Sequence, residues 1–256
     1  MLNLNKKKYF WSSIFFTLAA VILSAYGLLS FFGGLKNPSA PTEDYWIWRS
    51  TDLDYVKPNS RLIIYQGDYL LGQFHAPFIK RGLTPGEIST HKDIALLIRL
   101  YQLDKPETLA KYISLLVSKW KTYQINVSEI QLDYDSPSSQ LAIYADFIAQ
   151  LNSALKINNI QTDISITGLL TWLDDSPMTL QQLAKEVAYI DYQLYNDFYP
   201  LANLARFYPS IGAIKHSYKI GVTTAHEFEQ LQYPKTKYYL GKSIFLNINK
   251  DKRSEF

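Results

Sequence analysis

The chain contains no cysteine, which excludes disulfides, thiolate metal sites, a cysteine nucleophile and the acylated cysteine of a bacterial lipoprotein. Any tether must be built from the chain itself. Histidine is scarce too. His75, His91 and His216 are isolated, and His226-Glu227 lacks the second histidine of a zinc helix, with Gln230 in its place. No metal and no cofactor are expected. Neither a dinucleotide-binding fingerprint nor a phosphate-binding glycine loop occurs, and there is no Gly-x-Ser-x-Gly elbow or kinase-like signature. Acids are missing from residues 1–36, which hold Lys6, Lys7, Lys8 and Lys36; the formal charge of +3 therefore hides a remainder with 22 basic against 23 acidic residues. A body so nearly neutral is not a nucleic-acid binder.

What is present is apolar enough to fold: 47% of residues are hydrophobic and 15% aromatic, which excludes a disordered chain. A length of 256 residues suits one large domain. From Tyr9 to Phe32 runs an uncharged stretch of roughly 24 residues, long enough to cross a bilayer core of about 30 Å. It reads as a transmembrane helix over 9–32 with a basic cytoplasmic stub at 1–8, and the lysine asymmetry puts the body outside the membrane. A cleaved signal peptide is the alternative; the length of the run and the absence of a clean small-x-small site favour an uncleaved anchor. Residues 33–44 hold two glycines, two prolines and polar residues, the composition of a flexible linker. The folded domain is expected over 45–256, with a frayed polar tail at 251–256.

In that body, β-branched and aromatic runs alternate with longer helical patterns, the order of parallel strands joined by crossover helices. Strands are expected at 45–50, 61–66, 93–101, 128–134, 162–170, 187–195, 217–224 and 242–248. One helix follows Asp104-Lys105-Pro106, with Leu109, Tyr112, Ile113, Leu116 and Trp120 at helical spacing, and a second follows Ser138-Ser139. Eight strands predict an α/β fold of the (β/α)8 TIM-like barrel type. Only about ten residues join the first two strands, too few for a full crossover helix, so the barrel is expected to be distorted or incomplete. An open doubly wound sheet is the alternative.

Along the strand at 128–135 alternate side chains share a face, so Gln131, Asp133 and Asp135 point one way and Ile130, Leu132 and Tyr134 the other. Ser136-Pro137 ends the strand, placing both acids near its C-terminal end, where barrels carry their active sites. Acids at i and i+2 are about 6.6 Å apart by strand rise, close enough for one charge to raise the pKa of the other. A pair of solvated aspartates capping the next helix is the structural alternative.

The run Ile130-Gln131-Leu132-Asp133-Tyr134-Asp135-Ser136-Pro137 resembles the fourth-strand motif of family-18 chitinases, with Gln131 where that motif has an aspartate and Asp135 where it has the catalytic glutamate. Tyr192-Gln193-Leu194-Tyr195-Asn196-Asp197-Phe198 resembles the chitinase strand whose tyrosine contacts the substrate's acetamido group. A closer resemblance is to an uncharacterised bacterial domain of unknown function grouped with barrel-type glycoside hydrolases. It is carried by Trp46-Ile47-Trp48-Arg49-Ser50, Leu97-Ile98-Arg99-Leu100, the Gln131–Leu141 run, Leu170-Thr171-Trp172-Leu173 and Gln193-Leu194-Tyr195, and spans most of residues 45–225.

These resemblances imply a glycoside hydrolase-like protein with a polysaccharide or oligosaccharide as its partner; together with the apolar run at 9–32 and its lysines, they lead to the expectation of a protein anchored in a bacterial inner membrane, facing the periplasm or outside. They imply Asp135 as general acid, Asp133 as the group orienting the acetamido group, and Tyr195, Gln131 and Gln193 as substrate-binding residues. Arg99 is expected either to bind a substrate anion or to pair with Asp133. Trp48 and Trp172, near strand ends, are candidate sugar-stacking platforms or core residues. A non-catalytic glycan-binding or envelope-scaffold protein is the competing function, motivated by the shortened acid and the replaced aspartate. A surface that only docks other envelope proteins is a third.

Overall fold

The computed structural model describes residues 42–70, 78–80, 82–88 and 93–246. The expected basic stub, transmembrane helix at 9–32, most of the linker and the terminal tail lie outside the described residues. Among those described, no helix is long and apolar enough to cross a membrane.

Eight parallel strands form a closed ring. They are β1 (Thr42–Ile47), β2 (Arg61–Tyr69), β4 (Asp93–Leu100), β5 (Asn126–Asp133), β6 (Asp163–Leu169), β7 (Ile190–Gln193), β10 (Tyr218–Thr223) and β11 (Tyr239–Phe245). The ring closes because β1 pairs on both sides, Asp44 with Arg61 of β2 and Tyr45 with Ile244 of β11. That double pairing rules out the open sheet. β3 (Phe78–Lys80) joins the end of β2 in antiparallel fashion, past the last residue of β1.

The helical layer is uneven. Between β4 and β5 lies α1 (Pro106–Thr122), and between β5 and β6 lies α2 (Leu141–Ile157). Pro106 supplies the first helical position of α1, and Leu109, Ile113, Leu116 and Trp120 are buried against the sheet. α3 (Thr171–Asp175) and α4 (Pro177–Leu183) follow β6, whereas β1 to β2 and β10 to β11 are joined without an α-helix. After β7 the chain makes a small hairpin, β8 (Tyr195–Asn196) with β9 (Tyr199–Pro200), before α5 (Tyr208–Gly212).

Alternation decides what each strand buries. Ile130 and Leu132 of β5 face outward into the main core under α1 and α2, while Glu129 and Gln131 are buried with the inward-facing groups. Inside the barrel, Trp46, Ile63, Tyr65, Ala95 and Leu97 form a separate apolar cluster beside β1, β2 and β4. The base is ionic instead. Arg61 contacts Glu129 at 2.8 Å and Asp44 at 3.8 Å, Lys219 of β10 also pairs with Asp44, and Ser165 and Tyr189 donate to Glu129 at 2.5 and 2.6 Å. Asp44, which the sequence suggested was linker, is thus fully buried. It belongs to the first strand, which begins three residues before the expected 45.

Candidate functional site at the barrel mouth

The C-terminal ends of the strands surround a cavity of about 300 Å³ lined by Trp46, Trp48, Leu97, Arg99, Asp133, Asp135, Thr167, Gln193, Tyr195, Asn196, Asp197 and Phe245. Its size is at the lower end of small-molecule sites, roughly 300–1,000 Å³. A larger groove of about 710 Å³ lies elsewhere, on the outer side of β1, β10 and β11, where Tyr45, Tyr55, Phe228, Tyr233 and Tyr239 line it. That groove contains none of the three aspartates of the mouth.

β5 delivers the first acid at its last residue. The Asp133 side chain is 13% exposed, its Oδ1 accepts a hydrogen bond from Thr167 Oγ1 at 2.8 Å, and its Oδ2 lies 3.8 Å from Arg99 Nε. Burial raises its pKa above the usual carboxylate range; the Thr167 hydroxyl opposes that, the charge of Asp135 adds to it, and Arg99 again opposes. Asp135 projects beyond the strand, 57% exposed, with Oδ2 3.7 Å from Arg99 Nη2. Arg99 thus reaches both acids from β4, at ion-pair rather than hydrogen-bond distances.

The opposite wall is aromatic. Tyr195 stacks on Phe245 at 6.1 Å with an interplanar angle of 11°, and meets Trp46 edge-on at 6.3 Å. Burial holds the Tyr195 phenol well above its ordinary pKa, so it stays protonated and able to donate. Trp48 stacks on Tyr65 at 4.1 Å, and its indole Nε1 is buried without a hydrogen-bond partner among the described residues. The hairpin adds Asn196 and Asp197; Asp197 takes a left-handed φ of 55°, which aspartate tolerates better than most residues.

Six of the expected site residues therefore share one cavity: Asp133, Asp135, Arg99, Gln193, Tyr195 and Trp48. Two do not. Gln131 faces inward, as the alternation requires, but one inward position deeper than Asp133; it is fully buried and accepts the Trp46 indole N–H at 2.6 Å. Trp172 is fully buried outside the mouth, where its Nε1 donates to the Ser136 carbonyl at 2.8 Å and its ring meets Tyr144. It cannot be a sugar platform. Its place is made by Gly168 on β6, where a Cβ would come within 2.5 Å of Ile190 and 3.2 Å of the Trp172 ring. Trp172 instead braces the turn that follows Asp135.

Thr167, Phe245, Asn196 and Asp197 also line the cavity, and no motif or spacing marks them as site residues in the sequence. Asn196-Asp197 was visible as a polar pair after an apolar strand; Thr167 and Phe245 gave no signal beyond strand parity. Among the described residues, no three His, Asp or Glu side chains are grouped as a metal ion would require.

Residues 93–202 match a family model described as a domain of unknown function (DUF3142). The match runs from β4 to just past the hairpin, so it includes Arg99, Asp133, Asp135, Gln193 and Tyr195 and leaves out Trp46–Ser50. No curated protein sequence matches the chain. Solved structures do. Concanavalin B superposes with a TM-score of 0.56 at 12% identity, covering 86% of this chain and 97% of its own. A family-18 chitinase from Crocus vernus gives 0.50 at 12% identity, covering 84% and 96%. The catalytic domain of a family-18 chitinase from the fern Peteris ryukyuensis gives 0.51 at 11% identity, covering 80% and 91%. The chain is a closed parallel barrel with the fold of these barrel-type proteins, and its central segment resembles a domain whose function is unknown. At such identities the likeness is one of fold.

Proposed function

We propose that this barrel is a glycoside hydrolase-like domain that binds an N-acetylated polysaccharide in its mouth and cleaves it with help from the substrate's own acetamido group. The observation that carries this reading is the convergence of Asp133, Asp135, Arg99 and the Tyr195 phenol on one cavity at the C-terminal end of a closed parallel barrel. Two acids on a single strand are poorly placed to flank a glycosidic bond from opposite sides, as ordinary glycosidase pairs do. Substrate assistance removes that need.

In this scheme exposed Asp135, freed when substrate displaces Arg99, serves as the general acid that gives a proton to the glycosidic oxygen as the bond to the anomeric carbon breaks. The acetamido oxygen closes on that carbon, oriented by Asp133, which Thr167 holds, while Tyr195 donates a hydrogen bond to the acetamido carbonyl. Water then opens the ring and returns a proton to Asp135. The apolar segment at 9–32 would hold the barrel outside a bacterial inner membrane, where such polymers lie.

One observation favours a second reading, a non-catalytic glycan-binding protein: Arg99 stands within 4 Å of both acids and competes for the carboxylate that must carry the proton. Hydrolysis by the purified protein of a panel of envelope polysaccharides, including N-acetylglucosamine polymers and peptidoglycan, separates the two. Release of reducing ends that falls at least about a hundredfold in Asp135→Asn is the expected result. Equal release by the variant would remove Asp135 from the chemistry, and binding without release would establish the second reading.

A further inference from the structure

Beneath the mouth lies a carboxyl that the scheme above does not use. Asp191, on β7, is fully buried at mid-height in the barrel; its Oδ1 makes no hydrogen bond of ordinary geometry among the described residues, although the Ser243 hydroxyl stands near enough to act on the carboxyl. Its Oδ2 is 3.5 Å from the Gln131 amide nitrogen. The other end of that amide, Oε1, accepts the Trp46 indole N–H at 2.6 Å. Trp46 lines the cavity and sets its edge against Tyr195 and Phe245. Gly221 of β10 makes the arrangement sterically feasible, since a Cβ there would come within 2.9 Å of the Trp46 ring and 3.5 Å of Asp191 Oδ1.

We propose that Asp191 is a positioning residue that fixes the Trp46 indole at the floor of the mouth cavity through the Gln131 amide. The inference deepens the proposed function, since it assigns what holds one wall of that same site. The logic is that of donors and acceptors. Ionised Asp191 only accepts, so it orients the Gln131 NH2 toward itself and leaves the amide oxygen for the indole N–H. Protonated Asp191 brings a donor of its own, for which the Gln131 oxygen is an available acceptor. Turning the amide to meet it would set the NH2 against the indole N–H, donor against donor, and the indole would lose its partner. Protonation of Asp191 thus releases Trp46, and with it the face that Tyr195 and Phe245 pack on.

The charged and titratable groups around Asp191 are Lys219 on β10, Asp44 on β1, and the phenols of Tyr189 and Tyr195, with those of Tyr233 and Tyr239 farther out. Ser243 on β11 adds a hydroxyl. Burial outweighs the pull of Ser243 and Lys219 and raises the Asp191 carboxyl to about 7, so the switch lies in an accessible range.

The test follows the Trp46 indole N–H by NMR in the full-length protein, with the resonance identified by its loss in Trp46→Phe. It is expected to shift with a single midpoint near pH 7 in the parent and to lose that titration in Asp191→Asn. A Trp46 indole signal that does not titrate in the parent would overturn the proposal, even if the variant does not fold. A titration that persists in folded Asp191→Asn would overturn it as well. Because the readout needs no turnover, an inactive protein bears on the proposed function alone, and an unresponsive Trp46 on this inference alone.

Discussion

Replacing Asp191 by asparagine should change the stability of the protein in a pH-dependent way. Free aspartate titrates near 3.8, and burial holds the folded Asp191 carboxyl at about 7. Between those values the folded chain retains a proton that the unfolded chain has released, so this group makes stability fall as pH rises. The penalty is absent well below pH 4, grows through the interval and is complete above about pH 7. Three pKa units correspond to about 4 kcal/mol in full, of which roughly 2–3 kcal/mol falls between pH 5 and pH 8. Asparagine has no such titration. The other carboxyls, including the raised Asp133 and the ion-paired Asp44 and Glu129, are common to both proteins and cancel to first order in the difference. Urea unfolding of parent and Asp191→Asn at pH 5 and pH 8 gives the number. The variant should gain roughly 2–3 kcal/mol relative to the parent on going to pH 8, whatever constant offset the substitution brings. A difference that is flat with pH, or that changes in the opposite direction, would refute the assignment of Asp191 as a buried carboxyl held protonated below neutrality.

Two further changes test the frame around the site. Lys219→Met leaves the fully buried Asp44 with the more distant Arg61 as its ionic partner among the described residues, and should cost about 3–5 kcal/mol by denaturant unfolding at pH 7, the usual loss when one side of a buried pair is removed. Gly168→Ala drives a methyl group to within 2.5 Å of Ile190 and against Trp172, and should cost about 1–3 kcal/mol while loosening the turn after Asp135, measurable as faster amide exchange at Ser136.

Much of the frame was legible because barrel strands advertise themselves as β-branched runs spaced by helical patterns. Each of the eight expected strands overlaps an observed one, with the first and last displaced by three residues, and parity along β5 correctly separated Gln131 and Asp133 from Ile130 and Leu132. The beginning of β1 was hidden, because an inward-facing acid such as Asp44 looks like linker until its partners Lys219 and Arg61, contributed by other strands, are known. Parity also says nothing about height. Gln131 shares a face with Asp133 but is one position deeper, so it contacts Trp46 and Asp191 rather than the cavity. Trp172 lies past the end of β6, where the chain turns into α3 and the alternation no longer applies. The hairpin that brings Asn196 and Asp197 over the mouth depends on β8 and β9 pairing with each other, a contact the strand pattern of 187–195 does not reveal. Closure likewise depends on register between β1 and β11, elements separated by nearly the whole domain.

The most direct test of the central claim is a crystal structure of the protein with an N-acetylglucosamine oligomer bound. The account predicts sugar in the mouth, an acetamido group between Asp133 and the Tyr195 hydroxyl, and Arg99 drawn away from Asp135. Sugar bound instead in the outer groove beside Tyr45 and Tyr233, with the mouth empty and Arg99 still between the two acids, would contradict it.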